Sequence, residues 1–459
     1  MTNCPRIVIG GTASGTGKTS VTLGLVGALK EKGFVVQTFK VGPDFLDPTY
    51  LSIASGRPCY NLDGWMMGRD YVRTLFARVV EGADIAVIEG VMGLFDGAAP
   101  GRYEGSTAEI ALWLDSPILL IVDAHGLAQS IAAIVKGFST LDSRLNIGGV
   151  IANRCGSERH GIFLSETLEA AMLPPVVGLI RQGGLPELKS RHLGLVTAGQ
   201  KTVPPAVIAG LAGAVSRCLS LDTVVDIARN TVSLGICAVP RKNAQKRVRL
   251  GVALDDAFHF YYRDFFDELE DNGCVLVPFS PLTDRRLPDE IDALFFGGGY
   301  PEESAEILSG NRMMLAAVKT FAMSGRPIYA ECGGLMYLCR GLEKKDGSFY
   351  SMVGLLPATT KMSEKCQSLA YVEVTLKDNS LWGMKNDVLR GHEFHYSKMV
   401  SSPVGKNGWK SVYSMKRRHF APTDEGYQKG CLLISYAHLC FPASEKAVCR
   451  FLENCGGKR

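Results

Sequence analysis

The sequence predicts an α/β protein of two successive units, each built on a parallel sheet. Three observations carry this. Segments that read as strands alternate with helical segments up to about residue 225. A strand, a Gly-rich turn and a helix follow one another from Ile7 to Leu29. A second strand-and-helix series begins at Val248, just past a basic polar run. Such alternation marks βαβ units and a doubly wound sheet, whose ligands gather at the carboxyl ends of the strands. The expected boundaries are a first domain over 1–225, a linker over 226–247 and a second domain over 248–459.

Composition narrows the class. A chain of 459 residues, 46% hydrophobic and 21% charged, is that of an ordinary soluble protein with two or three domains. A net charge of +4 is small for the length and does not imply nucleic acid, though it suits an anionic substrate. The 13 cysteines are scattered, odd in number and form no C-x-x-C pairs. Free thiols in a reducing cytosol are therefore expected. The chain enters a strand almost at once, so no signal peptide is expected, and no apolar run approaches a membrane span.

The first element is the strand Ile7–Gly10, followed by Gly11-Thr12-Ala13-Ser14-Gly15-Thr16-Gly17-Lys18-Thr19 and a helical pattern at Val21, Leu23, Leu25, Val26 and Leu29. Backbone N–H groups of such a turn and of the helix start point at a bound anion. Lys18 would reach the β- and γ-phosphates of ATP, and the Thr19 hydroxyl would ligate Mg²⁺. Thr12, Gly15 and Gly17 complete the cradle. The first glycine of G-x-x-x-x-G-K-[ST] would stand at Thr12, whereas here the glycines lie one and two residues earlier. That variant resembles the loop of the dethiobiotin synthetase-like P-loop group.

The strand Val35–Lys40 leads into Val41-Gly42-Pro43-Asp44-Phe45-Leu46-Asp47-Pro48, a turn that projects two carboxylates. Alone it reads as a solvated turn. At the same sheet edge as a phosphate loop it reads as a Mg²⁺ or substrate site. Ile85–Glu89 is an apolar strand ending where a P-loop enzyme places its metal-polarising carboxylate, and Gly90, Gly93, Asp96 and Gly97 follow in a loop able to approach a ligand closely. Ser106 or Thr107 opens the helix Thr107–Leu114, either as a plain cap or as an anion site. Ile118–Asp123 is a strand followed by His125, read as a packed or capping histidine. Ser130–Phe138 is helical. Gly148–Asn153 is a strand whose Asn153 either reads an adenine edge or sits in a turn. Val176–Ile180 is the last strand of the series. From Leu219 to Arg247 periodicity weakens, and the run Pro240–Arg247 reads as a solvated linker.

The second unit opens with the strand Val248–Leu254, the helix Tyr262–Asp271 and the strands Cys274–Pro278 and Ala293–Phe296, the last running into Gly297-Gly298-Gly299-Tyr300-Pro301-Glu302. The strand Pro327–Ala330 then meets Glu331-Cys332-Gly333-Gly334 and a helical pattern. A thiol between strand and helix with small neighbours is a nucleophile elbow. The helix start would lower its pKa, and Gly298 and Gly299 would supply oxyanion N–H groups. His438, after the strand Leu432–Tyr436, is the expected base.

Together these residues resemble the cobyrinate a,c-diamide synthase family, a P-loop amidoligase domain fused to a flavodoxin-like class I glutamine amidotransferase domain. The likeness covers nearly the whole chain through GTASGTGKTSV, KVGPDFLDP, GRPCYNLDGWM, EGVMGLFDG, GSTAEIALWL, VDAHGLAQSIAA, NRCGSERH, RHLGLV, FFGGGYPE, ECGGLMYL, GHEFHYS and SYAH. The resemblance implies a cytoplasmic enzyme in which Cys332 and His438 release ammonia from glutamine. MgATP phosphorylates a carboxylate of a corrinoid polyacid, and ammonia displaces the phosphate. It implies Thr12, Gly15, Gly17, Lys18, Thr19 and Asn153 at ATP, and Thr19, Asp47 and Glu89 at Mg²⁺. It places Asp44, Asp96 and Ser106 at the substrate or acyl phosphate. Small-molecule partners alone are expected, with no nucleic acid and no membrane; a homodimer is the candidate assembly. One departure stands out. Broader class I enzymes carry a Glu two residues after the histidine; here that position is Cys440, a lack that fits the cobyrinate and cobyrate branch and leaves the third member of the triad unassigned. Glu393, in Gly391-His392-Glu393-Phe394-His395, is a candidate substitute, or positions glutamine or a domain interface.

Two relatives share the enzyme class: a synthase acting on nickel-sirohydrochlorin in the coenzyme F430 pathway, and cobyrate synthase, which KVGPDFLDP and GSTA disfavour. P-loop switches that partition DNA or position septa form a different class. Their second lysine, five residues before the loop lysine, is Ala13 here, and a switch has no use for a Cys332/His438 pair.

Overall fold

The computed structural model describes residues 3–188, 190–191, 194–195, 205–236, 244–245, 247–442 and 444–456, and divides into two units, 1–240 and 241–459. In the first unit seven strands lie in the order Tyr60–Leu62, Val36–Val41, Ile85–Glu89, Arg6–Gly11, Ile118–Asp123, Ile147–Cys155, Val176–Arg181. Every neighbouring pair is parallel. Burial on both faces explains why these strands read as continuous apolar runs. Ile7, Ile9, Val87, Leu119, Ile121 and Ile151 sit in one core with Val21, Leu25 and Leu29 of the helix Lys18–Glu31. That helix packs against Pro205–Cys218 at a close approach. A Cβ on Gly24 would meet Val215 Cγ2 at 2.4 Å, and one on Gly27 would meet Ala212 Cβ at 2.8 Å.

Register lines up the carboxyl ends. Ile9 pairs with Glu89, Lys40 with Glu89, and Asp123 with Asn153. Phosphate loop, Lys40, Glu89 and Asn153 therefore share one edge, as a parallel sheet requires. At the opposite edge Arg6 is fully buried and donates to the carbonyls of Leu114, Cys4, Asp115 and Val232. The helix Leu221–Arg229 spans the expected start of the linker at 226 and buries Val224, Val225 and Ala228. The RHLGLV stretch and the basic run before Val248 lie largely outside the described residues.

The second unit holds a ten-stranded sheet. Its first five strands, Cys274–Phe279, Val248–Ala253, Ala293–Phe296, Ile328–Glu331 and Leu432–Ser435, are parallel in the chain order 2-1-3-4-5 of a flavodoxin-like fold. The sheet continues antiparallel through Thr423–Lys429, Lys410–Arg417, Ser368–Leu376 and Val388–His395 to His438–Leu439. The chain thus leaves the parallel part at Ser435 and pairs three residues later with the far end of the antiparallel part, His438 facing His392. Gly391 permits this closure: its Cβ would lie 2.1 Å from the His438 carbonyl oxygen. A smaller sheet orders Phe349–Ser351, Cys339–Glu343, Leu356–Met362 and Ser397–Met399. Trp382 stacks between Phe441 and Phe451, at 3.5 and 4.1 Å between ring centroids, and ties the C-terminal helix Glu445–Gly456 to the sheet. No helix of the described residues is long and apolar enough to cross a membrane.

Candidate active sites

In the first unit Gly15 and Gly17 turn the phosphate loop with φ of 77° and 96°, values a side chain resists. Gly17 is needed for space as well, because a Cβ there would meet Asn153 Nδ2 at 2.4 Å. The Asn153 amide donates to Thr16 O at 2.8 Å, and Arg154 reaches Gly15 O at 2.9 Å while pairing with Asp123. Asn153 and Arg154 thus brace the loop from the strand Ile147–Cys155, two places along the sheet. Thr12 N–H donates to Ile121 O at 3.1 Å, anchoring the loop's start. Lys18 Nζ donates to Ala13 O and to Met92 O, the latter presented by a left-handed residue with φ 47°. Burial and nearby Lys40 lower the Lys18 ammonium to about 8.

Thr19, Asp47 and Glu89 converge. The Thr19 hydroxyl lies 2.6 Å from Glu89 Oε1 and 3.4 Å from Asp47 Oδ2. Lys40 enters the same cluster, 2.7 Å from Asp47 Oδ2 and 2.8 Å from Glu89 Oε1. Burial pushes the Glu89 carboxyl up to about 7 against the pull of Lys40. At Asp47 burial acts the same way, yet Lys40 prevails and holds the carboxyl below its ordinary value. Glu89 Oε2 is buried and has no hydrogen-bond partner. Asp44 Oδ1 accepts from Leu46 N and Asp47 N at 2.8 and 3.0 Å; burial and the adjacent Asp47 raise its carboxyl to about 6.

Asp96 is exposed and accepts from Gly93 N at 2.8 Å, shaping the loop after Glu89. Ser106 is fully buried and accepts from Glu109 N at 3.1 Å, so its hydroxyl caps the helix Thr107–Trp113. His125 is an exposed loop residue whose backbone N–H meets Asp123 Oδ1. Lys40 is the functional candidate that the motif reading missed. Its signal lies in the pairing of two separate strands, which the linear sequence does not print.

In the second unit Cys332 stands between the strand Ile328–Glu331 and the helix Gly333–Leu338 with φ 45° and ψ −98°. A non-glycine residue held there stores strain of about 1–3 kcal/mol, as nucleophile elbows do. Gly334 lets the turn close, since its Cβ would lie 2.3 Å from Phe296 O. Gly299 N lies 3.0 Å from where a Gly333 Cβ would be, so the glycine run passes directly beside the elbow. Gly298 gives room to His438, whose Cε1 is 2.5 Å from the Gly298 Cβ position. The lowering expected from the helix start is corrected: burial, then Glu302 and Glu331, push the Cys332 thiol well above its ordinary range.

His438 is buried, with Nδ1 3.4 Å from Glu331 Oε2. The His392 ring stacks on it at 4.9 Å and 14°. Burial, followed by His438, keeps His392 neutral, and Tyr262 Oη lies 3.1 Å from His392 Nδ1. Glu393 is a correction as the substitute acid. Neighbouring strand residues point to opposite faces, so while His392 faces His438, Glu393 turns away. Its carboxylate accepts from Arg417 Nε at 2.7 Å and Ser368 Oγ at 2.8 Å.

Residues 7–196 match the CobQ/CobB/MinD/ParA nucleotide binding domain, and residues 249–446 match the CobB/CobQ-like glutamine amidotransferase domain. The chain is 52% identical over 458 residues to the cobyrinate a,c-diamide synthase of Syntrophotalea carbinolica, covering 99% of this chain and all of that one. It is 41% identical to that of Leptospira interrogans, with 98% of each chain covered. The chain belongs to the cobyrinate a,c-diamide synthase family. Among solved structures, a glutamine amidotransferase crystal structure aligns with 45% of this chain and 98% of its own, at 16% identity and a TM-score of 0.33. The family's two domain models fall one on each of the two units, the first over the phosphate loop and the second over the Cys332 elbow.

Proposed function

We propose that this chain is an ATP- and glutamine-dependent ligase that converts the a and c carboxylates of cobyrinate to amides. The observation that carries the reading is that one chain holds both a braced phosphate loop beside buried carboxylates and a strained cysteine elbow beside a buried histidine. The name shared by relatives along nearly the whole length supports the substrate.

In the glutaminase half, Cys332 gives its proton to His438 and the sulfur attacks the glutamine side-chain carbonyl. An S–C bond forms and the C–N bond breaks. The proton leaves on ammonia, and water then hydrolyses the thioester to glutamate. Gly298 and Gly299 are the proposed oxyanion donors. In the ligase half, a substrate carboxylate oxygen takes the γ-phosphoryl group and ADP leaves. Ammonia then attacks the acyl carbon and releases phosphate. Lys18 neutralises charge on the transferred group, Thr12, Gly15, Gly17 and Asn153 form or brace the cradle, and Asp44 and Asp96 flank the substrate carboxylate.

The donor set suits Mg²⁺: two carboxylates and a hydroxyl meet, all hard oxygens, and Glu89 Oε2 is buried without a partner. Thr19, Asp47 and Glu89 would hold the ion, which supplies charge neutralisation on the phosphates. No disulfide joins the twelve described cysteines, which suits the proposed cytoplasmic setting. A homodimer is the proposed assembly, to be read by light scattering.

Incubation with ATP, glutamine and either cobyrinate or nickel-sirohydrochlorin, read by mass spectrometry, tests the substrate. Cobyrinate should become a diamide. Conversion of the nickel macrocycle with cobyrinate left untouched would assign the other pathway.

A further inference from the structure

Cys440 stands where broader class I amidotransferases carry the acid that orients the histidine. The structure brings a different carboxylate to that ring. Glu331 is the last residue of the strand Ile328–Glu331 and directly precedes Cys332. Its side chain is buried, and each oxygen has a distinct environment. Oε1 accepts from the Tyr329 hydroxyl at 2.7 Å and from Leu439 N–H at 3.2 Å. Oε2 faces His438 Nδ1 at 3.4 Å.

The placement follows from the fold. Glu331 pairs in parallel register with Ser435, and His438 follows three residues on. Tyr329 and Glu331 lie on the same face of their strand, two residues apart, so the phenol locks the carboxylate from behind. Glu393 is held by Arg417 and Ser368.

Resting on the glutaminase reading of Cys332, we propose that Glu331 is the positioning acid for His438, so that the acid precedes the nucleophile in the chain instead of following the base. With Nδ1 turned to Glu331, Nε2 is the ring nitrogen left for the thiol proton. A carboxylate at Nδ1 fixes the tautomer and stabilises the imidazolium that forms when Cys332 gives up its proton. Contacts that are long in a ligand-free site tighten as the charge develops.

The test compares Glu331→Gln and Glu331→Asp in the full chain with two nitrogen sources. Glu331→Gln keeps the shape but not the charge. Glutamine-dependent kcat should fall about 10²–10⁴-fold, the scale of general acid–base help. KM for glutamine should change little, and amidation with high ammonium salt should stay near the parent level. Glu331→Asp should lie between parent and Glu331→Gln. A Glu331→Gln protein with parent glutamine kcat overturns the proposal. So does an equal loss with both nitrogen sources, which marks a purely structural residue. Should Glu331→Gln fail to accumulate, Glu331→Asp decides by the same comparison. If ammonia-dependent amidation is absent in the parent as well, the ligase reading fails instead.

Discussion

The Thr19 hydroxyl meets Glu89 Oε1 at 2.6 Å, joining the first turn of the helix after the phosphate loop to the end of the neighbouring strand. The bond turns two sequence motifs into one polar cluster, with Asp47 and Lys40 at its other side.

Thr19→Ala and Glu89→Gln each take an oxygen or a charge from that cluster. Amide formation should fall about 10²–10³-fold in either variant, the usual cost of losing one preorganised contact to developing charge. Turnover is measured across a Mg²⁺ titration with saturating ATP and ammonium salt. Parent turnover at limiting Mg²⁺ would remove that residue from the site.

Gly298→Ala should disturb His438 without touching the ligase half. The added Cβ would sit 2.5 Å from His438 Cε1, so the ring must move. A shift of about 1 Å at reacting groups costs about 10²-fold. Glutamine-dependent rate should drop on that scale while ammonia-dependent rate holds. An unchanged glutaminase would place His438 outside the chemistry.

Glu425 gives a pH prediction beside the glutaminase site, where the Ser435 it holds also accepts from Cys332 N–H at 2.8 Å. It is buried, accepts from Ser435 Oγ, Tyr436 N and Gly426 N, and burial raises its carboxyl to about 7. The folded protein therefore keeps a proton that the unfolded chain loses near pH 4.5. The stability this gives is full below the unfolded value and is lost as pH rises through about 7. Relative to the parent, Glu425→Gln should gain about 2–3 kcal/mol between pH 5 and pH 8, read by urea unfolding of the parent and variant. A pH-independent difference would contradict the buried, proton-holding carboxyl.

Arg6 is a structural prediction. Its guanidinium serves four carbonyls from three stretches of chain. Arg6→Leu leaves buried acceptors unpaired and should destabilise the first unit by about 3–5 kcal/mol. A loss under about 1 kcal/mol would mean that other donors replace it.

The parallel strands were legible in the sequence because burial on both faces leaves them almost wholly apolar: Ile85–Glu89, Ile118–Asp123 and Ala293–Phe296 have the expected bounds. The antiparallel strands Ser368–Leu376 and Lys410–Arg417 were not, since only three residues of each are buried and polar residues interrupt the apolar pattern. The helix Leu221–Arg229 corrects the weak periodicity read from Leu219 onward, because Leu221, Val224, Val225 and Ala228 recur at helical spacing on one buried face. Lys18, Thr19 and Cys332 stand in contiguous motifs, whose chemistry local spacing conveys. Lys40 and Glu331 depend on which strands pair and which way each side chain points. Glu331 was in view as part of the elbow, but His438 meets it only through the Leu432–Ser435 register and the closure onto His392.

The division of labour between the two units is tested most directly by Cys332→Ala and Lys18→Ala assayed with two nitrogen sources. Cys332→Ala should lose glutamine-dependent amidation and retain amidation with high ammonium salt, at a pH where some NH₃ is present. Lys18→Ala should fail with both, because no acyl phosphate forms. A folded Cys332→Ala protein that still uses glutamine, or that loses ammonia use as well, would contradict the account.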